Sequence, residues 1–382
     1  MAALSPELQR NLRHNFIVNL LDGGFFGFAI GIASFVTVIP LFVNTLSSST
    51  ILIGLIPAIH AMGWQLPQLL TGHRVNRLAR FKPMTLFMTV HERIPFLGLA
   101  VIAYYAARLG NSTALTLTFA LLVWQGLGGG LTATAWQSLI GKVIPTNRRG
   151  TFFGLQSATA NLFSAAGAFI AGFVLERVTA PLNFTLCFLA AGIAMIVSLF
   201  FLGWTREPAH EPHGGGESQG VFWGRVREIL KVDGRFRRFI LARIVFQLGA
   251  MGSAFYIIYA VRNYGASPEQ AGFLTTVLMA TQILANPITG WLGDRISHLF
   301  AMQFSAVAMG LSALLALFVP GADWFYPVFV LNGIGNVGMW TSAMSMTLEF
   351  GDDRSRPAYI GLSNSLLAPA TILLPILGGW LA

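Results

Sequence analysis

The chain has 382 residues, 54% of them hydrophobic and only 10% charged, with a mean hydropathy of +0.65. A soluble domain carries about a quarter charged residues, so this composition excludes one and demands lipid as the solvent for most of the surface. The net charge of +9 does not point to nucleic acid, because the basic residues sit in short gaps between long apolar runs. Transmembrane β-strands would show alternating segments of roughly ten residues. None occur, and the expected class is an all-α polytopic membrane protein.

Runs of about 20 apolar residues mark the candidate spans. The first, 16 to 44, follows no charged leader with a small-residue cleavage site and reads as a retained helix. It holds Asp22, six residues in and about 9 Å deep at the helical rise. Span two, 50 to 71, carries His60, and span three, 84 to 107, carries His91, Glu92 and Arg93 in succession. Consecutive helical residues point in different directions, so Glu92 and Arg93 need partners on other helices. His60 and Gln65 lie at comparable depth. Span four, 113 to 140, contains Trp124 and Gln125; spans five and six run from 151 to 175 and 182 to 203. The single cysteine, Cys187, lies within span six, which rules out a disulfide or a cysteine-based metal site.

The stretch from Glu207 to Gln219, with its HGGGESQG run, reads as a flexible linker. In VFWGRVREILKV, Val221 to Val232, apolar and basic residues interleave, as expected either for a helix on the membrane surface or for a solvated connector. Five further spans follow near 239 to 262, 269 to 290, 299 to 319, 324 to 348 and 358 to 382. The seventh carries Arg243, Gln247 and Tyr256, and the tenth Asn332, Asn336 and Trp340. With the N-terminus inside, 19 of the 24 Lys and Arg fall on the cytoplasmic side, three on the outer side and two, Arg93 and Arg243, within spans. That bias predicts a cytoplasmic N-terminus.

The halves repeat. Gly54 pairs with Gly272, Gly72 with Gly290 and Arg77 with Arg295, all 218 residues apart. Gly126 and Gly128 pair with Gly333 and Gly335, Arg149 with Arg356, Gly154 with Gly361 and Gly172 with Gly379, all 207 apart. The loop GHRVNRLARFK after span two and its counterpart GWLGDRISH, which holds Asp294, resemble the G-x-x-x-[D/R]-[R/K]-x-G-[R/K] signature of the major facilitator superfamily. PTNRRGTFFG and DDRSRPAYIG are similar to that family's P-x-x-R-x-G pattern. Asn76 stands where the pattern has an acid, which predicts a weaker latch in the first half.

The resemblance implies two pseudo-symmetric six-helix bundles rocking about a central substrate site, here residues 1–203 and 239–382 joined by a linker at 204–238. The counterpart of span six is missing from the second half, which predicts either a truncated chain or an eleven-span protein. The implied function is secondary active transport of a small solute by alternating access, as proton-coupled export from the plasma membrane by a monomer. The implied partners are the substrate, the lipid bilayer and protons, with no nucleic acid. A charge within a span is a functional candidate by default. In this fold the first and seventh helices line the cavity. Asp22 is therefore a candidate for proton coupling or cation binding, with a structural carboxylate as the alternative; Arg243 either snorkels or forms a gating pair with Asp22. His91, Glu92 and Arg93 are a structural network or, as the alternative, His91 and Glu92 form a titrating cluster with His60. Trp124, Gln125, Gln247, Tyr256, Asn332, Asn336 and Trp340 are cavity candidates, each with helix packing as the plainer reading. No metalloprotease, nucleophile-elbow or P-loop motif is present, so no enzyme activity, cofactor or metal is expected. A transporter-like receptor or scaffold is the remaining alternative.

Overall fold

The structure is a computed structural model that describes residues 6–208, 219–253, 255–352 and 355–381. Most of the expected linker, residues 209 to 218, lies outside the described residues, as do Asp353 and Arg354 of the second-half loop. Every regular element among the described residues is helical. In chain order these are α1 (Pro6–Ile32), α2 (Val38–Leu46), α3 (Thr50–Gln65), α4 (Gln68–Val75), α5 (Lys82–Leu109), α6 (Asn111–Val143), α7 (Arg149–Arg177) and α8 (Leu182–Gly203). The later ones are α9 (Gln219–Val232), α10 (Gly234–Ser253), α11 (Tyr256–Tyr264), α12 (Pro268–Arg295), α13 (His298–Leu317), α14 (Phe325–Val337), α15 (Ala343–Thr347), α16 (Arg356–Ser365) and α17 (Ala368–Leu381). Six stretches among the described residues are helical, long and apolar enough to cross a membrane: 7–32, 82–109, 111–143, 146–177, 182–203 and 298–317.

Several runs that read as one span are broken helices. Span one divides into α1 and α2 because the Ser34 hydroxyl accepts the N–H groups of Val36 and Thr37, a local bond that competes with the helical ladder. Span two divides at Pro67, which has no N–H to continue the helix. Span ten contains a wide π turn at Gly338–Ser342 between α14 and α15. Such single-turn bulges concentrate at functional sites.

The chain forms two compact units, each assembled from separated stretches. Unit 1 comprises Met1–Ile144, Thr159–Trp223 and Asp352–Ala368. Its core gathers Ile32, Ile39, Phe42, Phe96, Leu99, Phe184 and Phe188. Phe42 lies with its ring centre 5.4 Å from that of Phe184 and 5.5 Å from that of Phe188. Glycines set the approach of α3 to α6: a Cβ on Gly63 would press into the Gly126 backbone, and one on Gly130 into the Gly63 carbonyl and Pro67 ring. Unit 2 comprises Pro145–Ala158, Gly224–Gly351 and Pro369–Ala382, with Tyr256, Leu274, Phe325, Val328 and Phe329 in its core. Val36, Phe87, Phe169 and Phe318 are exposed, as surfaces facing acyl chains must be. Phe222 opens the buried stripe of α9, its ring lying against His73 and within 2.8 Å of where a Gly72 Cβ would stand.

Candidate functional site

The interior of unit 1 holds a buried ionic cluster where α1, α5 and α8 meet. Asp22, Glu92 and Arg93 are each less than a tenth exposed. Arg93 Nη2 donates to Asp22 Oδ1 at 3.1 Å and to Ser198 Oγ at 3.0 Å, while Ser198 Oγ donates to the same Asp22 oxygen at 2.6 Å. Arg93 Nη1 bonds to the Thr89 hydroxyl one turn back, and the guanidinium lies over the Phe26 ring at 5.4 Å. Glu92 is more distant, with Oε2 3.8 Å from Arg93 Nη1.

The partners differ from those expected of the spans. Asp22 is engaged by Arg93 and Ser198, whereas Arg243 belongs to unit 2 and stacks its guanidinium 5.7 Å from the Phe239 ring centre. His60 does not join His91 and Glu92. It bonds through Nδ1 to Gln125 Oε1 at 2.9 Å and stacks on Phe35 with ring centres 4.1 Å apart. His91 instead accepts from Trp124 Nε1 at 3.2 Å.

In unit 2, Tyr256 shares a hydroxyl contact of 3.4 Å with Ser312. Asn336 bonds back to the Asn332 carbonyl and side chain. Gln247 is partly exposed on α10, and Trp340 projects from the π turn, about half exposed. That turn directs Thr341 to Asn286 Oδ1 at 2.5 Å and towards Ser157 Oγ at 3.3 Å.

The two loop signatures do different work. In unit 2, Asp294 caps α7 from another part of the chain: Oδ1 accepts the Gly150 N–H at 2.8 Å and Oδ2 the Thr151 N–H at 2.6 Å. A carboxylate there satisfies orphan donors and faces the positive end of the helix dipole. His298 Nε2 lies 3.3 Å from Asp294 Oδ1, off the line of a hydrogen bond, and Nδ1 bonds to Glu349 Oε1. Burial alone would raise the Asp294 carboxyl, but the adjacent His298 imidazole and the bonds from Thr151 and Gly150 outweigh it and hold it below its ordinary range. Gly290 is obligatory here, since any Cβ would strike the Gly150 carbonyl. Arg149, buried, reaches the Leu348 carbonyl at 3.3 Å, and Arg295 is exposed with its guanidinium over Trp291.

In unit 1, Asn76 is buried at the end of α4, with its N–H bonded to the Gly72 carbonyl at 3.0 Å. Arg77 is exposed and Arg356 opens α16. Gly72 would place a Cβ 3.2 Å from the Pro357 carbonyl. Asn364 of α16 donates to Gln68 Oε1 at 2.7 Å, and Gln68 in turn binds Trp64 O and accepts Thr134 on its own carbonyl. Sequence reasoning missed Glu207, whose carboxylate caps α5 through Phe81 N and Lys82 N at 2.8 Å and pairs with Lys142 at 2.9 Å. It also missed Thr89, Ser198 and Glu349. An isolated hydroxyl in the apolar run of span six was the available signal for Ser198.

Comparison with known proteins matches this architecture. The family profile of the Major Facilitator Superfamily matches residues 94–261 and 239–382. The multidrug resistance protein MdtH of Shigella flexneri serotype 5b is 24% identical over 264 residues, and that of Escherichia coli K12 23% identical over the same length. Each match covers 67% of this chain and 62% of the relative, so the chain spans about three-fifths of the length of these relatives. Among solved structures, the E. coli fucose:proton symporter FucP superposes with a TM-score of 0.73 at 16% identity, covering 96% of this chain and 92% of that one. A bacterial homologue of the iron transporter ferroportin in its outward-facing state gives 0.72 at 14% identity, with the same coverage. The proton:xylose symporter XylE gives 0.68 at 16%, covering 98% and 90%. A helical fold with paired loop signatures, a family profile over most of the chain and superposition on three solved transporters lead to one conclusion: this chain belongs to the major facilitator superfamily.

Proposed function

We propose that the chain is a monomeric secondary active transporter of the plasma membrane that exports a small amphipathic solute in exchange for protons. Its N-terminus is cytoplasmic, and the sequence halves 1–203 and 239–382 rock about a site lined by spans one, four, seven and ten. The observation that carries this reading is the buried Asp22–Arg93 pair with Glu92 beside it. Ionisable groups are costly in hydrocarbon, and in membrane carriers they mark ion and proton pathways. The name of the MdtH relatives supports export of drug-like compounds, and the cavity candidates, amides with aromatic rings, suit amphipathic ligands. Gln247, Asn332, Asn336, Trp340 and Arg243 are the proposed contacts from the second half, and Trp124, Gln125 and His60 those from the first.

The test is purified protein in liposomes loaded with ethidium, with a pH gradient imposed across the bilayer. Gradient-driven efflux that collapses with a protonophore is the expected result. Protein that moves neither ethidium nor any member of a drug and small-acid panel under either gradient polarity would favour a receptor or scaffold role instead.

A further inference from the structure

The charges in the buried cluster of unit 1 do not balance. Asp22 and Glu92 contribute two carboxyls and Arg93 one guanidinium, all buried. Among the described residues, the helices most closely packed on α5, namely α6 and α8, bring no second cation to the cluster. The only titratable side chain of α6 is Lys142, bound to Glu207, and that of α8 is Cys187, buried in the apolar core. On α3, His60 is engaged by Gln125. On α5 itself, His91 is engaged by Trp124. Arg93 lies within ion-pair distance of both carboxyls, and the Thr89 hydroxyl bonds to Glu92. With both carboxyls ionised the cluster would hold a net negative charge in hydrocarbon, a state that burial strongly disfavours.

The two carboxyls are not equivalent. Asp22 has a charge-assisted bond from Arg93 and a short one from Ser198, both of which favour an ionised acceptor. Glu92 stands beyond hydrogen-bond reach of Arg93. Its carboxyl lies over the Gly129 backbone: a Cβ there would stand 2.7 Å from Glu92 Oε1 and 3.1 Å from the Trp64 ring. Among the described residues, Arg93 Nε, although buried, has no hydrogen-bond partner. It is a spare donor one residue from a carboxyl whose ion pair with Arg93 is long and not hydrogen-bonded.

We infer that this cluster is a proton-binding site, in which the Glu92 carboxyl carries one exchangeable proton while Asp22 remains ionised against Arg93. Binding forms the Glu92 O–H bond and leaves the cluster neutral. Release returns a carboxylate that draws on the Arg93 guanidinium, which weakens its hold on Asp22 and joins the state of α5 to that of α1. The part this site plays in transport rests on the proton-coupled reading above; the site itself does not.

Infrared spectroscopy of the purified full chain in lipid nanodiscs at neutral pH tests it directly. A protonated carboxyl C=O band that shifts in heavy water is expected, and it should move when glutamate side chains carry heavy carbon but not when aspartate does. Glu92→Gln, isosteric with the protonated acid, should abolish the band while the protein stays folded. In proteoliposomes the same variant should lose at least tenfold of gradient-driven accumulation yet keep solute counterflow within about twofold. A band that survives Glu92→Gln, a band that moves with aspartate labelling, or no such band overturns the inference. If the band behaves as expected but the unmodified protein shows no gradient-driven flux, the transport reading fails and the proton site stands.

Discussion

A carboxylate is tolerated in hydrocarbon when a cation and hydrogen-bond donors meet it, and Asp22 has both in Arg93 and Ser198. Removing one partner of such a pair exposes the other to the full cost of burial, about 3–5 kcal/mol. Arg93→Met should therefore lower the thermal stability of the detergent-solubilised protein by roughly that amount, and Arg93→Met with Asp22→Asn by clearly less than the sum of the two singles. Exchanging the charges, Asp22→Arg with Arg93→Asp, should recover part of the folded yield. The same exchange with Arg243 should not, and rescue through Arg243 would sink the assignment of Asp22 to Arg93. The sequence made Asp22 and Arg93 conspicuous, since each is a charge in an apolar run. It could not pair them, because the match depends on α1 and α5 meeting at that depth across a sequence separation of 71, and on a serine from α8 that no motif distinguishes.

Elements carry the next level of control, and helix termini are where loop side chains act on them. The signature acid Asp294 was legible as a family feature, yet its role is visible only as the cap of α7, whose N–H groups at Gly150 and Thr151 have no intrahelical acceptor. The broken spans were illegible for a similar reason: hydropathy reports what a run can dissolve in, whereas Ser34 and Pro67 decide by local hydrogen bonding where the helix stops. Because the Asp294 carboxyl is held below its ordinary range, the linkage has one sign. The native state favours the ionised form, so the stabilisation is complete above the unfolded carboxylate range and is lost as pH falls through the folded value. Asp294→Ala should cost about 1–2 kcal/mol, the usual worth of an N-cap, when unfolding is followed at neutral pH. The difference from the unmodified protein should shrink in acid. A gap that widens on acidification would mean that Asp294 is not the ionised cap.

At the scale of the molecule, each compact unit contains pieces of both sequence repeats, and this constrains how the repeats can separate. In unit 1, α16 from the second repeat seats Gly361 on Leu69, a Cβ at Gly361 standing 2.8 Å from the Leu69 Cα, and Asn364 donates to Gln68 of α4. In unit 2, the start of α7 from the first repeat lies on α12, with the Gly154 Cβ position 3.2 Å from the Pro287 Cα. Small residues and hydrogen-bonded amides make these contacts close and specific. If rocking of the halves carries solute, the α4–α16 contact must open in each cycle. Gln68→Cys with Asn364→Cys, in a background where the single Cys187 is replaced by alanine, should therefore react with a short reducible thiol cross-linker and lose transport. Cleavage of the linker should restore it, and each single-cysteine variant should keep activity under the same treatment. Cross-linked protein that still transports at the full rate would show that α4 and α16 stay together throughout the cycle, and the opening would then have to lie elsewhere in the repeats.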